Sequence, residues 1–193
     1  SREIKLKEID KTVYRKHLNI IIVGFIASLL TLALVYGQGL IMLFADSTSL
    51  LPNSPNVGSG EMVNEVATES NFRYNFLGVL LALLTCVLAL HRLRFSAFFS
   101  EVYYVWQVKQ QQNFIYRKLK KIKAAAEADD VNVNALIILN FYYASLKQVY
   151  LLDDNTLTMS KLNTDINELN VRLENLNLVL STDQFESSML ADF

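Results

Sequence analysis

The chain is poor in the residues that organise several common classes of protein. Its 193 residues include one cysteine, two prolines, six glycines and two histidines. A single cysteine excludes a disulfide framework, a cysteine-rich zinc site and a Cys-x-x-Cys redox pair. Neither glycine nor proline occurs from Val79 to Phe193, whereas strand-rich folds need turn residues at short intervals. The composition therefore predicts an all-α fold.

Sequence motifs for catalysis and ligand binding are also missing. The chain contains no GxxxxGK, GxGxxG, HExxH or GxSxG pattern and no EF-hand spacing. Charged residues make up only 19% of the chain, and the formal net charge of −1 argues against a nucleic-acid partner. We therefore predict no enzyme activity, no catalytic residue, no cofactor, no metal site and no nucleic-acid partner.

Two long uncharged stretches predict membrane-spanning helices. The first is 18–45, which as a helix would be about 42 Å long, more than the roughly 30 Å hydrocarbon core requires. The second is 74–90, and its core from Leu77 to Leu90 is apolar on every face, unlike an amphipathic helix of a soluble protein. A signal peptide is a poor alternative for the first stretch, because the apolar run is far too long.

The distribution of charge around these stretches predicts their orientation. Residues 1–17 carry six Lys or Arg, and residues 91–123 carry eight, with Glu101 as their one acid. The connecting segment 46–73, rich in Ser, Asn and Pro, carries four acids and Arg73 as its one base. The positive-inside rule then places both termini in the cytoplasm and the segment 46–73 outside.

The remaining residues, 91–193, are predicted to form a cytoplasmic domain of three helices. The first covers about 96–128 and the second 131–152. The second helix is apolar nearly all round; a third span is conceivable, but its asparagines favour a helix buried at the centre of a bundle. The third helix carries an a/d heptad row over 159–180, which is typical of a coiled coil.

The heptad row and the small residues of the spans are candidates for helix packing. The heptad row packs on the preceding helices of the same chain, which we favour, or it docks on a partner or a second copy. Small residues at four-residue spacing in the spans permit close contact between helices, within this chain or with another membrane protein. The candidate packing residues are Gly24, Ser28, Ala33, Gly37, Gly78 and Ala82 in the spans, and Leu162, Ile166, Leu169, Leu173 and Leu176 in the third helix.

The basic residues that follow the second span are candidates for contact with anionic lipid. Each Lys or Arg near anionic headgroups contributes about 1 kcal/mol to membrane binding. The distal part, 124–193, carries eleven acids against three bases, so it would be repelled from the same surface. The candidate lipid-contacting residues are Arg92, Arg94, Arg117, Lys118, Lys120, Lys121 and Lys123.

Five segments of the chain resemble a known family. They are Val13–Asn19, Asn71–Gly78, Glu101–Trp106, Arg117–Lys123 and Leu152–Leu157. Together they resemble DUF3087, a family of small two-span inner-membrane proteins of proteobacteria catalogued as a domain of unknown function. The resemblance extends from Ile9 to Met159. It implies a bacterial inner membrane and a periplasmic location for the loop between the spans, and it implies no activity and no site residues.

The missing chemistry, the heptad helix and the small-residue spans together favour a binding role. Our leading hypothesis is a membrane-anchored, non-enzymatic helical scaffold or accessory subunit that binds another membrane protein, as a hetero-complex or a homo-oligomer. The alternative is an oligomeric channel or transport component built from several hairpins, with Tyr36 and Gln38 facing the pore. An enzyme acting on a membrane substrate, with His17 or His91 beside converging carboxylates, is the hypothesis we favour least.

Overall fold

In the computed structural model, which describes residues 3–45 and 60–193, every regular element is a helix. Six α-helices and three 3-10 helices follow one another along these residues, which confirms the all-α prediction. The α-helices are α1 (Lys11–Ala45), α2 (Gly60–Leu93), α3 (Ser100–Tyr116), α4 (Leu119–Glu127), α5 (Val133–Leu152) and α6 (Met159–Asn175). The 3-10 helices are Ala97–Phe99, Thr182–Gln184 and Ser187–Asp192.

The chain divides into two compact units. The first, which we call the bundle, consists of Ser1–Leu18 and Ala97–Phe193, and the second, the helix pair, consists of Asn19–Ser96. The boundary between the units falls within α1, so the first two turns of this helix belong to the bundle.

In the helix pair, α1 and α2 meet at two glycines. A Cβ atom on Gly78 would lie 2.6 Å from the backbone nitrogen of Gly37 and 3.2 Å from the carbonyl oxygen of Ala33. No side chain fits on Gly78 at that separation, so the two backbones approach as closely as they do because this residue is glycine; a Cβ on Gly37 would meet the end of the Asn75 side chain, 2.8 Å away. Ala82 and Cys86 continue the buried row one and two turns further along α2.

A polar contact accompanies the glycine contact. The hydroxyl of Tyr36 lies 3.1 Å from the hydroxyl of Thr85, and Thr85 also donates to the Leu81 carbonyl at 2.8 Å. Tyr36, which the channel hypothesis would place facing a pore, is therefore turned toward α2. Gln38 is exposed.

The segment that connects the two apolar helices differs from the predicted loop 46–73. Residues 46–59 lie outside the described residues, but from Gly60 onward the backbone is already helical as the first part of α2. Between Gly60 and Gly78 the sequence contains neither glycine nor proline and is rich in good helix formers, which accounts for the earlier start of the helix.

The bundle is built around α5, which contacts α3, α4, α6 and the two C-terminal 3-10 helices. Phe141 on α5 is fully buried, and its ring stacks on that of Phe185 with the centroids 4.1 Å apart. Leu136 and Ile138 are also fully buried on different sides of the helix. An apolar surface that runs all round α5 is thus covered by protein on several sides.

By length and composition alone, three helices are able to cross a membrane, rather than the two predicted. They are Lys11–Phe44, Asn71–Leu93 and Val133–Leu152. The third differs in its surroundings, because 61% of its apolar stretch is buried within the protein, against 17% for the second and none for the first. The packing of α5 is that of a core helix.

The single helix predicted over 96–128 is divided into three pieces. The 3-10 helix Ala97–Phe99 precedes α3, and the chain turns again between α3 and α4. At that turn the Lys118 N–H bonds to the Ile115 carbonyl at 3.0 Å, a tighter i−3 pattern than the α-helical one. Neither glycine nor proline marks either break, so the sequence contained no local signal for them.

The heptad row over 159–180 is also interrupted. α6 ends at Asn175, and Asn177 takes a left-handed backbone conformation with φ of 53°. The N–H of Leu178 then bonds to the Leu173 carbonyl at 2.9 Å, which completes a Schellman helix end. Asparagine tolerates this backbone region better than most residues, so it ends the helix without a glycine.

Within α6 the heptad row faces the core of the bundle. Leu162, Leu169 and Leu173 are buried, and Ile166 and Leu176 are partly buried against the same cluster. The row therefore packs within the chain, and the structure contains no two-helix coiled coil over its full predicted length.

Replacing Gly78 by alanine should separate α1 from α2, whereas Gly24→Ala should be tolerated. The added methyl group on Gly78 meets the Gly37 backbone, while one on Gly24 meets no atom within 4 Å. We expect Gly78→Ala to lower the free energy of unfolding by about 1–3 kcal/mol and Gly24→Ala to change it by less than about 0.5 kcal/mol. Thermal unfolding of the detergent-solubilised protein measures both. Equal thermal midpoints for the two variants would contradict the close contact between Gly78 and the Gly37 backbone.

Candidate functional site

The extended segment before α1 is tied to the bundle by a buried tyrosine. The Tyr104 hydroxyl accepts a hydrogen bond from the Lys7 backbone N–H at 2.9 Å and donates to the Gln148 side-chain carbonyl at 3.0 Å. The Gln148 amide in turn donates to the Lys7 carbonyl at 2.6 Å. Burial raises the pKa of Tyr104 above its ordinary value, so the hydroxyl stays protonated and able to donate.

The C-terminal end of α5 carries two adjacent aspartates. Asp154 has a left-handed φ of 54°, and the N–H of Asn155 bonds back to the Tyr150 carbonyl at 2.9 Å. This geometry ends α5. The N-cap residue of α6 is Thr158, four residues beyond Asp154, so the aspartates finish one helix and do not start the next.

Both aspartate side chains bind other elements of the bundle. Asp153 accepts hydrogen bonds from the Tyr14 hydroxyl at 3.2 Å and from the Lys109 ammonium at 2.7 Å. Asp154 forms ion pairs with two cations in the first turns of α1. These are Lys11 and Arg15. Pairs as exposed as these contribute only about 0.2–1 kcal/mol each, so together they orient the start of α1 more than they stabilise it.

A second ionisable contact joins α1 to α3. The Nδ1 atom of His17 lies 3.3 Å from a carboxylate oxygen of Glu101, and the imidazole packs on the Phe98 ring at 4.2 Å. Burial alone would raise the pKa of Glu101, but hydrogen bonds from its own backbone N–H, from His17 and from Ser100 outweigh it. The pKa of Glu101 is therefore lower than its ordinary value of 4.5.

Two of the candidate lipid-contacting lysines donate hydrogen bonds to backbone oxygens of the C-terminal residues. The Lys118 ammonium donates to the Leu190 carbonyl at 2.6 Å, and the Lys121 ammonium donates to a backbone oxygen of Phe193 at 2.9 Å. Lys118 thus ties the 3-10 helix Ser187–Asp192, and Lys121 the following Phe193, to the start of α4. Lys121 is exposed and Lys118 is partly exposed, and contact with anionic lipid stays a prediction for both.

The other candidate lipid-contacting residues fall into two groups. Lys123 lies over the Tyr143 ring, 5.8 Å from its centroid. Burial alone would lower the pKa of Lys123, but the Tyr143 hydroxyl and nearby carboxylates raise it. Arg94 lies over the Phe95 ring, 4.5 Å from its centroid. The exposed candidates are Arg92, Arg117 and Lys120. Contact with anionic lipid stays a prediction for these residues.

A groove of about 600 Å³ runs along α3. Four of its lining residues lie on α3 and a fifth is its C-cap residue, and they follow one another at spacings of four, three, four and three, which is one face of a helix. We call them the α3 row: Tyr103, Gln107, Gln110, Phe114 and Arg117. The remaining lining residues are Ile4, Gln111, Lys118, Ser187 and Leu190. The groove thus has α3 on one side and the Ser187–Asp192 helix on the other. Lys118 binds that helix through the Leu190 carbonyl.

The small residues of α1 lie on two opposite faces. Gly24 and Ala33 are nine residues apart, as are Ser28 and Gly37, and at about 100° per residue this separation is half a turn. Ala33 and Gly37 form the face that meets α2. The other face is exposed, and we call it the open face of α1. It consists of Gly24, Ala27, Ser28 and Thr31.

Sequence reasoning missed several residues that the structure brings together. Neither the aspartate pair at the end of α5 nor Tyr104, Gln148 and Gln111 belongs to a recognisable motif in the sequence. The contacts of Asp153 with Tyr14 and of Tyr104 with Lys7 each span more than 90 positions of the chain. No local pattern reports such pairs.

In the described ranges, no three His, Cys, Asp or Glu side chains are placed to hold a metal ion together.

These observations define an all-helical protein with helices long and apolar enough to cross a membrane, and with a packed helical bundle. The chain matches the family described as protein of unknown function (DUF3087) over residues 4–190 and therefore belongs to that family. The resemblance seen in the sequence is thus confirmed. No curated protein and no solved structure matches the chain.

Glu101→Gln should remove part of the sensitivity of the bundle to acid. Because the folded pKa of Glu101 is lowered, its carboxylate stabilises the fold fully above about pH 4.5, and this contribution is lost as pH falls through the folded pKa. Wild type should therefore be more stable than the variant at about pH 5, and the two thermal midpoints should converge as the pH falls through the folded pKa of Glu101. Glu174→Gln, at an exposed position, serves as the control. Parallel curves for wild type and Glu101→Gln would refute the contribution of this contact.

Proposed function

We propose that this protein is a non-enzymatic, membrane-anchored helical scaffold or accessory subunit that binds another membrane protein. The observation that carries the proposal is the open face of α1. It has the same kind of small residues that let α1 approach α2, yet it meets nothing within the described part of the chain. A Cβ on Gly24 has no atom within 4 Å, and the Thr31 hydroxyl is satisfied by its own helix at the Ala27 carbonyl, 2.8 Å away.

Small faces of this kind promote association between helices in lipid. The acyl chains are as apolar as leucine, so membrane helices associate chiefly through close packing and interhelical hydrogen bonds. The residues beside the open face are large and exposed, as expected for contact with lipid: Val23, Leu30 and Leu34 are 66%, 61% and 69% exposed. The open face is a shallow strip between such side chains, and it fits a helix of a second protein.

The proposal includes a topology with two spans. We propose that α1 and α2 cross a bacterial inner membrane, that both termini are cytoplasmic, and that α5 stays in the cytoplasm within the bundle. The charge of the flanking segments supports this orientation. The burial of α5 supports it too, because the helices that cover α5 expose charged side chains such as Lys120 and Glu168, which lipid would exclude.

Leucine on the open face should dissociate the complex. Gly24→Leu combined with Ser28→Leu fills the strip, so the second helix is held away from the α1 backbone. We expect the partner recovered with the detergent-solubilised protein to fall by about tenfold or more, which corresponds to about 1.4 kcal/mol. The measurement is affinity purification from native membranes, followed by native mass spectrometry of the complex.

The matched control keeps the strip shallow. Gly24→Ala combined with Ser28→Ala should leave the complex intact, and both double variants should retain the thermal midpoint of the helix pair because both positions are exposed on the face of α1 opposite Ala33 and Gly37. A wild-type protein that purifies as a monomer without a stoichiometric partner would overturn the proposed function. A complex unaffected by the leucine variant would show that the open face is not its interface.

Cysteine labelling should reveal opposite locations for the loop and the bundle. Cys86 is the one natural cysteine and is buried, so Cys86→Ala provides a background without reactive thiols. In spheroplasts, a membrane-impermeant maleimide should label Ser54→Cys at once and Ser181→Cys only after permeabilisation. Labelling of Ser181→Cys in intact spheroplasts would contradict the two-span topology, since a third span through α5 would move the C-terminal residues outside.

A further inference from the structure

The α3 row is a helix face at heptad spacing that lines the groove, with Gln110, Phe114 and Arg117 exposed and Tyr103 and Gln107 partly exposed. The opposite face of α3 is in the core, where Tyr104, Val108 and Ile115 are 6%, 0% and 0% exposed. By contrast Phe114 is 45% exposed, and Trp106 at the margin of the row is 52% exposed and stacks on Tyr103. From its first to its last residue the row extends about 21 Å along the helix, nearly four turns.

The chemistry of the groove is positive and rich in hydrogen-bonding groups. Arg117 and Lys118 line it, whereas no Asp or Glu does so in the part of the chain that the structure describes. Gln107, Gln110 and Gln111 add three amides. Tyrosine, tryptophan and arginine are the residue types that most often dominate the energy of protein interfaces.

One of these amides is incompletely satisfied. Gln111 is 6% exposed, and its carbonyl oxygen accepts a hydrogen bond from Ser187 at 3.2 Å, but its Nε2 atom has no acceptor among the described residues. The neighbouring Gln112 is also buried, and its amide donates to Ser145 at 3.1 Å. A buried donor without an acceptor is costly, and Gln111 lines the groove, where a ligand is able to supply the missing acceptor.

We propose that this groove docks an acidic amphipathic helix of a partner protein. The inference rests on the proposed binding function and adds the site and the chemistry of the partner. The heptad spacing and the length of the row fit a helix laid along α3, whose apolar side chains would enter between Tyr103 and Phe114. Carboxylates of that helix would meet Arg117 and Lys118 and would supply acceptors to the glutamine amides.

Site-specific photocrosslinking in native membranes tests the proposal on the full-length protein. A benzophenone amino acid replaces Gln110, which is exposed in the groove, and in a parallel protein it replaces Asn167, which is exposed on α6 away from the groove. We expect an adduct from position 110 and none from position 167. Mass spectrometry of the adduct should identify a segment of a different protein with helical periodicity and carboxylates beside the crosslink.

Charge reversal then tests the chemistry of the contact. Arg117→Glu should reduce the yield of the adduct by about tenfold or more, as expected for an interface hot spot. Lys161→Glu reverses an exposed cation on α6 that does not line the groove, and it should leave the yield unchanged. Both variants should keep the helical content and thermal midpoint of the parent, because neither side chain is buried.

Several outcomes would overturn the inference. These are no adduct above the Asn167 control, an adduct with lipid, an adduct with a second copy of this chain, and an adduct with a segment that lacks carboxylates. An equal loss of adduct in Arg117→Glu and Lys161→Glu would also overturn it. If the adduct is absent while a complex dependent on the open face of α1 persists, the docking site fails and the proposed function stands. A wild-type protein that purifies without any partner removes both.

Discussion

The bundle depends on one constraint: α5 is apolar nearly all round, so most of its surface has to be covered by protein. Each Å² of apolar surface removed from water contributes about 25 cal/mol, so an uncovered flank on a helix of this length would be costly. Helices α3, α4 and α6 each cover part of α5, and the two C-terminal 3-10 helices cover a further part. This need explains why Phe185 and Leu190, which belong to short 3-10 elements or their flanks, are buried.

The end of α5 extends the same constraint to α1. Tyr14 packs in an apolar cluster with Tyr104 and Val149, and its hydroxyl reaches the aspartate pair that terminates α5. The ion pairs around those aspartates are exposed and individually weak, so the apolar cluster holds the first turns of α1 and the charges fix their orientation. A helix whose later turns are apolar enough to span a membrane therefore begins as part of a packed bundle.

A periodic pattern in the sequence indicates that one face of a helix packs against something, but it does not indicate whether that face packs within the chain or on a partner. The leucine row of α6 was a candidate for docking on a partner, but it is used inside the bundle because α5 has to be covered. The α3 row has the same spacing and stays open, yet it was not recognised, because Gln107, Gln110 and Arg117 do not register in a search for apolar heptads. Likewise, the run of lysines before Lys123 indicated a charged surface and did not indicate that Lys118 and Lys121 bind C-terminal backbone oxygens.

The sequence by itself determined the all-α class, the two long uncharged helices, the lack of catalytic motifs and the family, because each of these depends on composition or on residues close together in the chain. The tertiary structure decided the breaks at either end of α3, the end of α6 and the choice between the two small-residue faces of α1. It also decided that Gly37 meets Gly78 while Gly24 stays uncovered. These features depend on contacts between residues far apart in the chain, and no local pattern encodes which distant backbone will approach.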